Sequence, residues 1–170
     1  MVPLRSNHQG HSQSTDARSR RQHRPLVVSR KLHAGAWYDK RSLLSGVIMD
    51  SIAVLASGGD APGMNACIRG VTRAALAQGT TVLGIHDGFT GLVKHRATPL
   101  NSRGVAGILQ QGGSILGAGR CVEFLDSECQ KLCVAYLRKE GVQGVIVIGG
   151  DGSMAGATQL HHWGMPTVVV

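Results

Sequence analysis

The sequence predicts an α/β protein in which helices cover both faces of a parallel β-sheet. Short apolar runs rich in β-branched residues alternate with amphipathic segments, a pattern typical of strand–helix–strand units. Two of these runs, 52–56 and 145–148, are followed by Gly-Gly-Asp, the first after one serine. Because a helix separates each strand from the next, the strands are expected to be parallel and the crossovers right-handed. The predicted fold class is therefore a three-layer, Rossmann-like sheet.

The individual elements follow from the same pattern in chain order. Strands are predicted at Ile52–Ala56, Thr81–Ile85, Val145–Ile148 and Thr167–Val170. Helices are predicted at Ala66–Gln78, at Arg103–Gln111 with Ser102 as its N-cap, at Glu128–Lys139, and from Gly152 to about Trp163. The glycine-containing segments His86–Leu92 and Gly112–Gly117 are predicted loops.

The basic charge of the chain is concentrated at its start. The formal net charge of the 170 residues is +8. Residues 1–50 hold nine Lys or Arg against three acidic residues, whereas residues 51–170 hold nine against seven. The charge is thus poor evidence for a nucleic-acid-binding core, and no nucleic-acid partner is expected for it. No run of 18 apolar residues predicts a membrane span.

Residues 1–50 are predicted to form a disordered basic leader, separate from a domain at 51–170. The segment is rich in Arg, Ser and His and has no sustained apolar period. Three interpretations remain open: an organelle transit peptide, a basic arm that binds nucleic acid, or a non-native extension before a start at Met49.

The four cysteines predict reduced thiols. Cys67, Cys121, Cys129 and Cys133 show neither a disulfide framework nor a Cys-x-x-Cys pair. No further Cys or His accompanies the pair at 129 and 133 as metal ligands would. The pattern is typical of a cytoplasmic protein.

The turn Gly149–Ser153 is the strongest candidate site in the sequence. A strand ends in two glycines, and the next helix begins, so backbone N–H groups at a helix N-terminus are available to phosphate. Asp151 would meet such a phosphate through Mg²⁺, which prefers carboxylate together with phosphate oxygens. The alternative is a tight turn in which Asp151 only caps the helix.

Three arginines are candidate anion ligands. Arg69 and Arg73 lie four residues apart and share a helix face, where an anionic ligand would offset their repulsion. The alternative for this pair is a solvated helix face. Arg120 follows a flexible glycine-rich loop, and arginine is well suited to phosphate.

Four motifs occur in a fixed order: Ser57–Asn65, His86–Leu92, Gly112–Gly117 and Gly149–Ser153. In this order and spacing they resemble the N-terminal part of a 6-phosphofructokinase of the bacterial ATP-dependent type, over residues 51–170. The resemblance implies transfer of the γ-phosphoryl group of MgATP to the 1-hydroxyl of fructose 6-phosphate in glycolysis. It also implies a homotetramer with an allosteric nucleotide effector.

The resemblance implies roles for individual residues. The residues implied to bind ATP are Gly59, Phe89, Arg120, Cys121, Gly150, Asp151, Gly152 and Ser153. Asp151 would also bind Mg²⁺. The residues implied to bind the effector are Arg69, Arg73, Ser102 and Arg103.

The phosphoryl donor is predicted from position 152. Gly152 is similar to the ATP-dependent type, whereas the pyrophosphate-dependent type usually has Asp there, whose bulk and charge disfavour the α-phosphate of a nucleotide. The family's catalytic loop would begin just after Val170, so no catalytic residue is assigned within the chain. Residues 1–170 alone are expected to be inactive and prone to aggregation.

Two other functions remain alternatives. One is a non-catalytic, truncated ATP-binding module, which shares every residue with the kinase. The other is a lipid or NAD kinase that shares only Gly-Gly-Asp-Gly.

Overall fold

The computed structural model describes residues 49–170. The strands are β1 Ser51–Ala56, β2 Thr81–Ile85, β3 Ala97–Leu100, β4 Gly144–Ile148 and β5 Thr167–Val169. The α-helices are α1 Met64–Ala77, α2 Gly88–Val93, α3 Ser127–Lys139 and α4 Asp151–His162. Two short 3-10 helices span Ile108–Gln110 and Glu123–Leu125. The predicted leader lies outside the described residues up to position 48, and none of the described helices is long and apolar enough to cross a bilayer.

The five strands form one sheet in the order β3-β2-β1-β4-β5. Strand β1 lies parallel to both β2 and β4, and β5 lies parallel to β4. After β1 the chain continues toward β2, whereas after β4 it continues toward β5 on the opposite side. The carboxyl ends of β1 and β4 therefore form a topological switch point, where open α/β sheets bind ligands.

The core lies on both faces of the sheet, as predicted. Alternate residues of β1 serve the two faces: Ala53 and Leu55 pack with α2, α3 and α4, whereas Val54 and Ala56 pack with α1. This alternation is the two-residue period of a strand. The three-layer, Rossmann-like α/β fold is confirmed.

One strand was not predicted, and it makes the sheet mixed. Strand β3 pairs antiparallel with β2, with Leu83 opposite Pro99. Proline is unfavourable in a strand because it cannot donate to a sheet ladder. Pro99 is tolerated here because β3 is the edge strand, in which only one side of the backbone has a neighbour within this sheet.

The predicted helix Arg103–Gln111 is wrong. Residues 102–107 form turns, and only Ile108–Gln110 is helical, as a 3-10 helix. The capping role given to Ser102 belongs to Asn101, whose Oδ1 accepts hydrogen bonds from the backbone N–H groups of Arg103 and Gly104 at 3.0 and 2.8 Å. A side chain that satisfies these donors competes with helix formation.

The segment predicted as a loop over His86–Leu92 contains helix α2. Its glycines allow the helix backbone to approach neighbouring carbonyl groups closely, rather than making the segment flexible. A Cβ on Gly91 would collide with the carbonyl oxygen of His86, and one on Gly88 would lie 2.6 Å from the carbonyl oxygen of Ala56. Gly88 thus lets α2 pack tightly beside the end of β1, and Gly91 lets it pack against the residue that follows β2.

Candidate functional site

A cavity of about 940 Å³ opens at the carboxyl ends of β1 and β4. Its walls are the loop after β1, the start of α4, the segment 120–125 and the facing sides of α3 and α4. The cavity thus occupies the switch point of the sheet. All eight residues implied to bind ATP line it, namely Gly59, Phe89, Arg120, Cys121, Gly150, Asp151, Gly152 and Ser153.

The two Gly-Gly-Asp turns are joined directly. The backbone N–H of Ser57 donates to the carbonyl oxygen of Ile148 over 2.9 Å. Gly149 fits against this junction because it has no side chain. An added Cβ there would collide with Ser153 Oγ and lie 2.5 Å from the carbonyl oxygen of Ser57.

The cavity floor is open backbone beside a helix N-terminus. A Cβ added to Gly59, Gly150 or Gly152 would meet no atom within 4 Å. Helix α4 begins at Asp151. The N–H groups of Ser153 and Met154 donate to the carbonyl oxygen of Gly150, whereas those of Asp151 and Gly152 have no backbone partner among the described residues. Open space beside unpaired N–H groups and a positive helix-dipole end suits phosphate.

Asp151 is suited to a magnesium ion held jointly with a ligand. Its carboxylate is exposed and makes no salt bridge to any described residue. No group of three His, Cys, Asp or Glu side chains forms a metal cage within residues 49–170. Mg²⁺ commonly binds through one or two carboxylates plus substrate phosphates, and this donor set fits that mode.

Arg120 lies exposed on a loop that is held from two sides. The carbonyl oxygen of Arg120 accepts from Thr90 Oγ1 at 3.3 Å, and that of Gly119 accepts from Ser57 Oγ at 3.5 Å. Neither bond uses the guanidinium group, which makes no salt bridge to a described residue. The cation is therefore available to an anion in the cavity.

Asp87 anchors the other end of the same loop, and the sequence did not single it out. Its backbone N–H donates to the carbonyl oxygen of Leu116 at 2.7 Å, and its carboxylate pairs with Arg96 at 2.7 Å. A Cβ on Gly117 would lie 2.6 Å from Asp87 Oδ1, so the loop passes directly over the carboxylate.

Phe89 and Cys121 line the wall of the cavity that includes the 3-10 helix Glu123–Leu125. Phe89 is only 5% exposed and stacks on Phe124, with ring centroids 4.5 Å apart. Cys121 is half-buried and donates to Glu123 Oε2 at 3.2 Å. Hydrogen bonds from the backbone of Glu123 and from the Cys121 thiol lower the pKa of the Glu123 carboxyl.

Gln130 and Trp163 also line this wall, and sequence reasoning missed both. Gln130 Nε2 donates to the carbonyl oxygen of Phe124, and Trp163 Nε1 donates to Gln130 Oε1, each over 2.9 Å. No local motif marks these residues, because their contact joins segments 33 positions apart.

The four residues implied to bind an effector do not line this cavity. Arg73, Ser102 and Arg103 are exposed, and Arg69 is half-buried. The Nε atom of Arg69 is buried without a hydrogen-bond partner among the described residues. Helix α1 packs against the 3-10 helix that follows the 102–107 turns.

These features define a doubly wound α/β protein that has a cavity suited to phosphate at the topological switch point of its sheet. The phosphofructokinase family model matches residues 51–170, so the chain belongs to the phosphofructokinase family. This assignment excludes the alternative of a lipid or NAD kinase.

Solved phosphofructokinases share the fold. The chain is 34% identical to phosphofructokinase from Pichia pastoris in the T-state, covering 71% of this chain and 14% of that one, with a TM-score of 0.66. Phosphofructokinase from Saccharomyces cerevisiae is 36% identical, with coverages of 67% and 16% and a TM-score of 0.65. A pyrophosphate-dependent phosphofructokinase from Nitrosospira multiformis shares the fold at 14% identity, with coverages of 69% and 32% and a TM-score of 0.61. The chain thus spans from 14% to 32% of the length of these proteins.

Proposed function

We propose that residues 51–170 form the nucleotide-binding portion of an ATP-dependent 6-phosphofructokinase. The complete enzyme would transfer the γ-phosphoryl group of MgATP to fructose 6-phosphate. The proposal rests on one observation: both glycine turns, Arg120 and Asp151 line the same cavity. Neither charged side chain forms a salt bridge with a described residue. Phosphoryl transfer depends on positioning and charge stabilisation, and these groups supply both.

Each group has a distinct role in the proposed site. The open backbone at Gly59, Gly150 and Gly152 lets phosphates approach the N-terminus of α4. The Arg120 guanidinium adds positive charge to the cavity, and Ser153 also lines it at the first turn of α4. Asp151 would hold Mg²⁺, which neutralises charge on the phosphate oxygens when it is bound.

The described residues support binding rather than proton abstraction. Asp151 carries the one side-chain carboxylate among the described residues that line the cavity. A carboxylate that binds Mg²⁺ is not free to take the proton of a sugar hydroxyl. We therefore assign nucleotide binding to this part of the chain and no general base.

ATP is the proposed donor because of the space at position 152. Gly152 lines the cavity, and a Cβ added there would meet no protein atom within 4 Å. Glycine thus adds neither bulk nor charge where a nucleotide would bind. The pyrophosphate-dependent neighbours at 14% and 18% identity share only the fold.

Further partners of the complete enzyme are also proposals. The exposed arginines Arg73 and Arg103, with Arg69 and Ser102, are proposed to bind a phosphorylated effector outside the nucleotide cavity. A homotetramer in the cytoplasm is proposed on the same family basis.

The magnesium dependence of ATP binding tests the proposal. Calorimetric titration of the 170-residue chain should show tighter binding of ATP with Mg²⁺ than with EDTA. Asp151→Asn should abolish this difference. Asp50→Asn is the matched control, because it removes an exposed carboxylate that does not line the cavity. Absence of ATP binding by the parent chain, or a magnesium effect that survives in Asp151→Asn, would overturn the proposal.

A further inference from the structure

Gln130 uses both ends of its side-chain amide inside the cavity wall. The residue is only 5% exposed. Its Nε2 donates to the carbonyl oxygen of Phe124, and its Oε1 accepts from Trp163 Nε1, each over 2.9 Å. A buried amide bonded in this way fixes the orientation of both partners, because leaving either group unpaired costs free energy.

These two hydrogen bonds, called the bridge below, connect two separate parts of the chain that face the cavity. Phe124 lies in the 3-10 helix that begins two residues after Cys121. Trp163 follows the last residue of α4, the helix that begins with Asp151. The amide of Gln130 therefore ties the end of α4 to the loop that carries Arg120.

Each aromatic partner of the bridge is also held on its ring. Phe124 stacks on Phe89 with an interplanar angle of 29°. The ammonium group of Lys131 lies 4.8 Å from the Trp163 ring centroid, and it pairs with Glu128. Gln130 is the polar link between these two aromatic groups.

The cavity has a polar end and an aromatic wall. The polar end is the open backbone at Gly150 and Gly152 beside Asp151. The cavity is also lined by the aromatic residues Phe89, Phe124 and Trp163. A nucleotide with its phosphates at the polar end can pack its base against this aromatic wall, because flat bases favour aromatic surfaces.

We infer that Gln130 is a positioning residue that fixes the aromatic wall against which the nucleotide base packs. The inference rests on the proposed function. It predicts that two ligands respond differently to loss of the bridge. Binding of ATP, which has a base, should weaken, whereas binding of pyrophosphate, which has none, should not.

The test compares Gln130→Met with Gln143→Met in a Trp37→Phe background, where Trp163 is the sole tryptophan. Methionine has nearly the same shape but neither bonds Phe124 nor accepts from Trp163. Gln143 is the matched control, since its amide also bonds to backbone, at Asp50, and does not line the cavity. Calorimetry would measure MgATP and magnesium pyrophosphate binding, and fluorescence would report the Trp163 environment.

Gln130→Met is expected to weaken MgATP binding about fivefold, the scale of one hydrogen bond, and to leave pyrophosphate binding unchanged. The emission of Trp163 should shift to longer wavelength. Gln143→Met should change neither. Equal losses for ATP and pyrophosphate, or the same loss in Gln143→Met, would overturn the inference alone. A parent chain that does not bind MgATP would overturn the proposed function and, with it, the inference.

A second comparison separates positioning from direct contact of Gln130 with the base. Trp163→Phe keeps an aromatic ring but removes the donor to Gln130, and it also serves if Gln130→Met does not fold. Both substitutions remove the hydrogen bond between Gln130 and Trp163. The double variant should therefore lose less ATP affinity than the sum of the losses in Gln130→Met and Trp163→Phe. Additive losses, or full ATP affinity in Trp163→Phe, would contradict the bridge.

Discussion

The side-chain amide of Asn65 donates to the backbone carbonyl of Gln111 over 3.0 Å. The same side chain accepts from the backbone N–H of Ile115 at 2.8 Å. Asn65 is 3% exposed at the start of α1, so both bonds are protected from water. One side chain thus fastens the glycine loop 112–114 to the helix that follows the first Gly-Gly-Asp turn.

Replacing Asn65 with alanine should lower the free energy of unfolding by about 2 kcal/mol, because two buried backbone groups lose their partner. Urea denaturation at pH 7 measures this. Asn101→Ala is the control: Asn101 also accepts from two backbone N–H groups, but it is exposed and water can replace it. Equal losses in the two variants would show that burial of Asn65 is unimportant.

Adjacent glycines in the second turn should differ sharply in their tolerance of alanine. Gly149→Ala should cost about 2 kcal/mol of stability, since its Cβ meets Ser153 and the Ser57 backbone. Gly150→Ala should change stability by less than about 0.5 kcal/mol, because its Cβ meets nothing within 4 Å. Thermal unfolding of both variants checks this, and a tolerant Gly149 would contradict the described junction.

Much of the fold was predictable because the strands are apolar runs that end in recognisable turns. The layers and the cavity position follow from that alternation, and the residues of both Gly-Gly-Asp turns lie together. The edge strand β3 was missed because proline is unfavourable in a strand except at the edge of a sheet, and the sequence does not show that Pro99 lies at an edge. Helix α2 was missed because the glycines that permit its close packing look like loop residues in sequence.

The candidate site was only partly predictable, for a similar reason. Arg120 and Asp151 stand in local motifs whose chemistry suggests phosphate and magnesium. Gln130 and Trp163 stand in no such motif, because they act through a contact between distant segments. Asp87 lies in the motif His86–Leu92, but the sequence does not show that its carboxylate pairs with Arg96 and lies against the loop at Gly117. Only a tertiary structure shows these contacts.

A carboxylate at position 152 should discriminate against ATP. A Cβ at position 152 would meet no protein atom within 4 Å, so Gly152→Asp should retain the fold. Because residue 152 lines the cavity, the added charge and bulk should oppose nucleotide binding. We expect MgATP affinity to fall at least about tenfold, or about 1.4 kcal/mol, and pyrophosphate affinity to fall less. Calorimetry with both ligands measures the ratio.

The matched control is Gly70→Asp, at an exposed helical glycine that also has open space and does not line the cavity. It should bind both ligands like the parent. An unchanged ATP-to-pyrophosphate ratio in Gly152→Asp would show that position 152 does not select the donor.

Thiol reactivity should depend on burial. Burial raises the pKa of Cys133 to about 12, and it also raises the pKa values of Cys67 and Cys129. Because the thiolate is the reactive form, these three should react slowly with iodoacetamide at pH 8, after the half-buried Cys121. Mass spectrometry of tryptic peptides checks the order, and urea should make all four cysteines reactive.

The raised pKa of Cys133 also predicts a pH dependence of stability. Above its ordinary value of 9.0 the unfolded chain releases the thiol proton while the folded chain keeps it until about pH 12. The free energy of unfolding should therefore fall as the pH rises through this window, by at most about 1.4 kcal/mol per pH unit from this group. Denaturation of the parent and of Cys133→Ala gives the comparison, and parallel pH profiles would contradict it.

Hydrogen–deuterium exchange with and without MgATP tests the central claim most directly. If the joined turns hold the phosphates, peptides covering 57–64 and 149–156 should exchange more slowly with MgATP present. A peptide covering β2 should not change. Binding of MgATP without protection at either turn, or protection confined to segments outside the cavity, would contradict the assignment of this site.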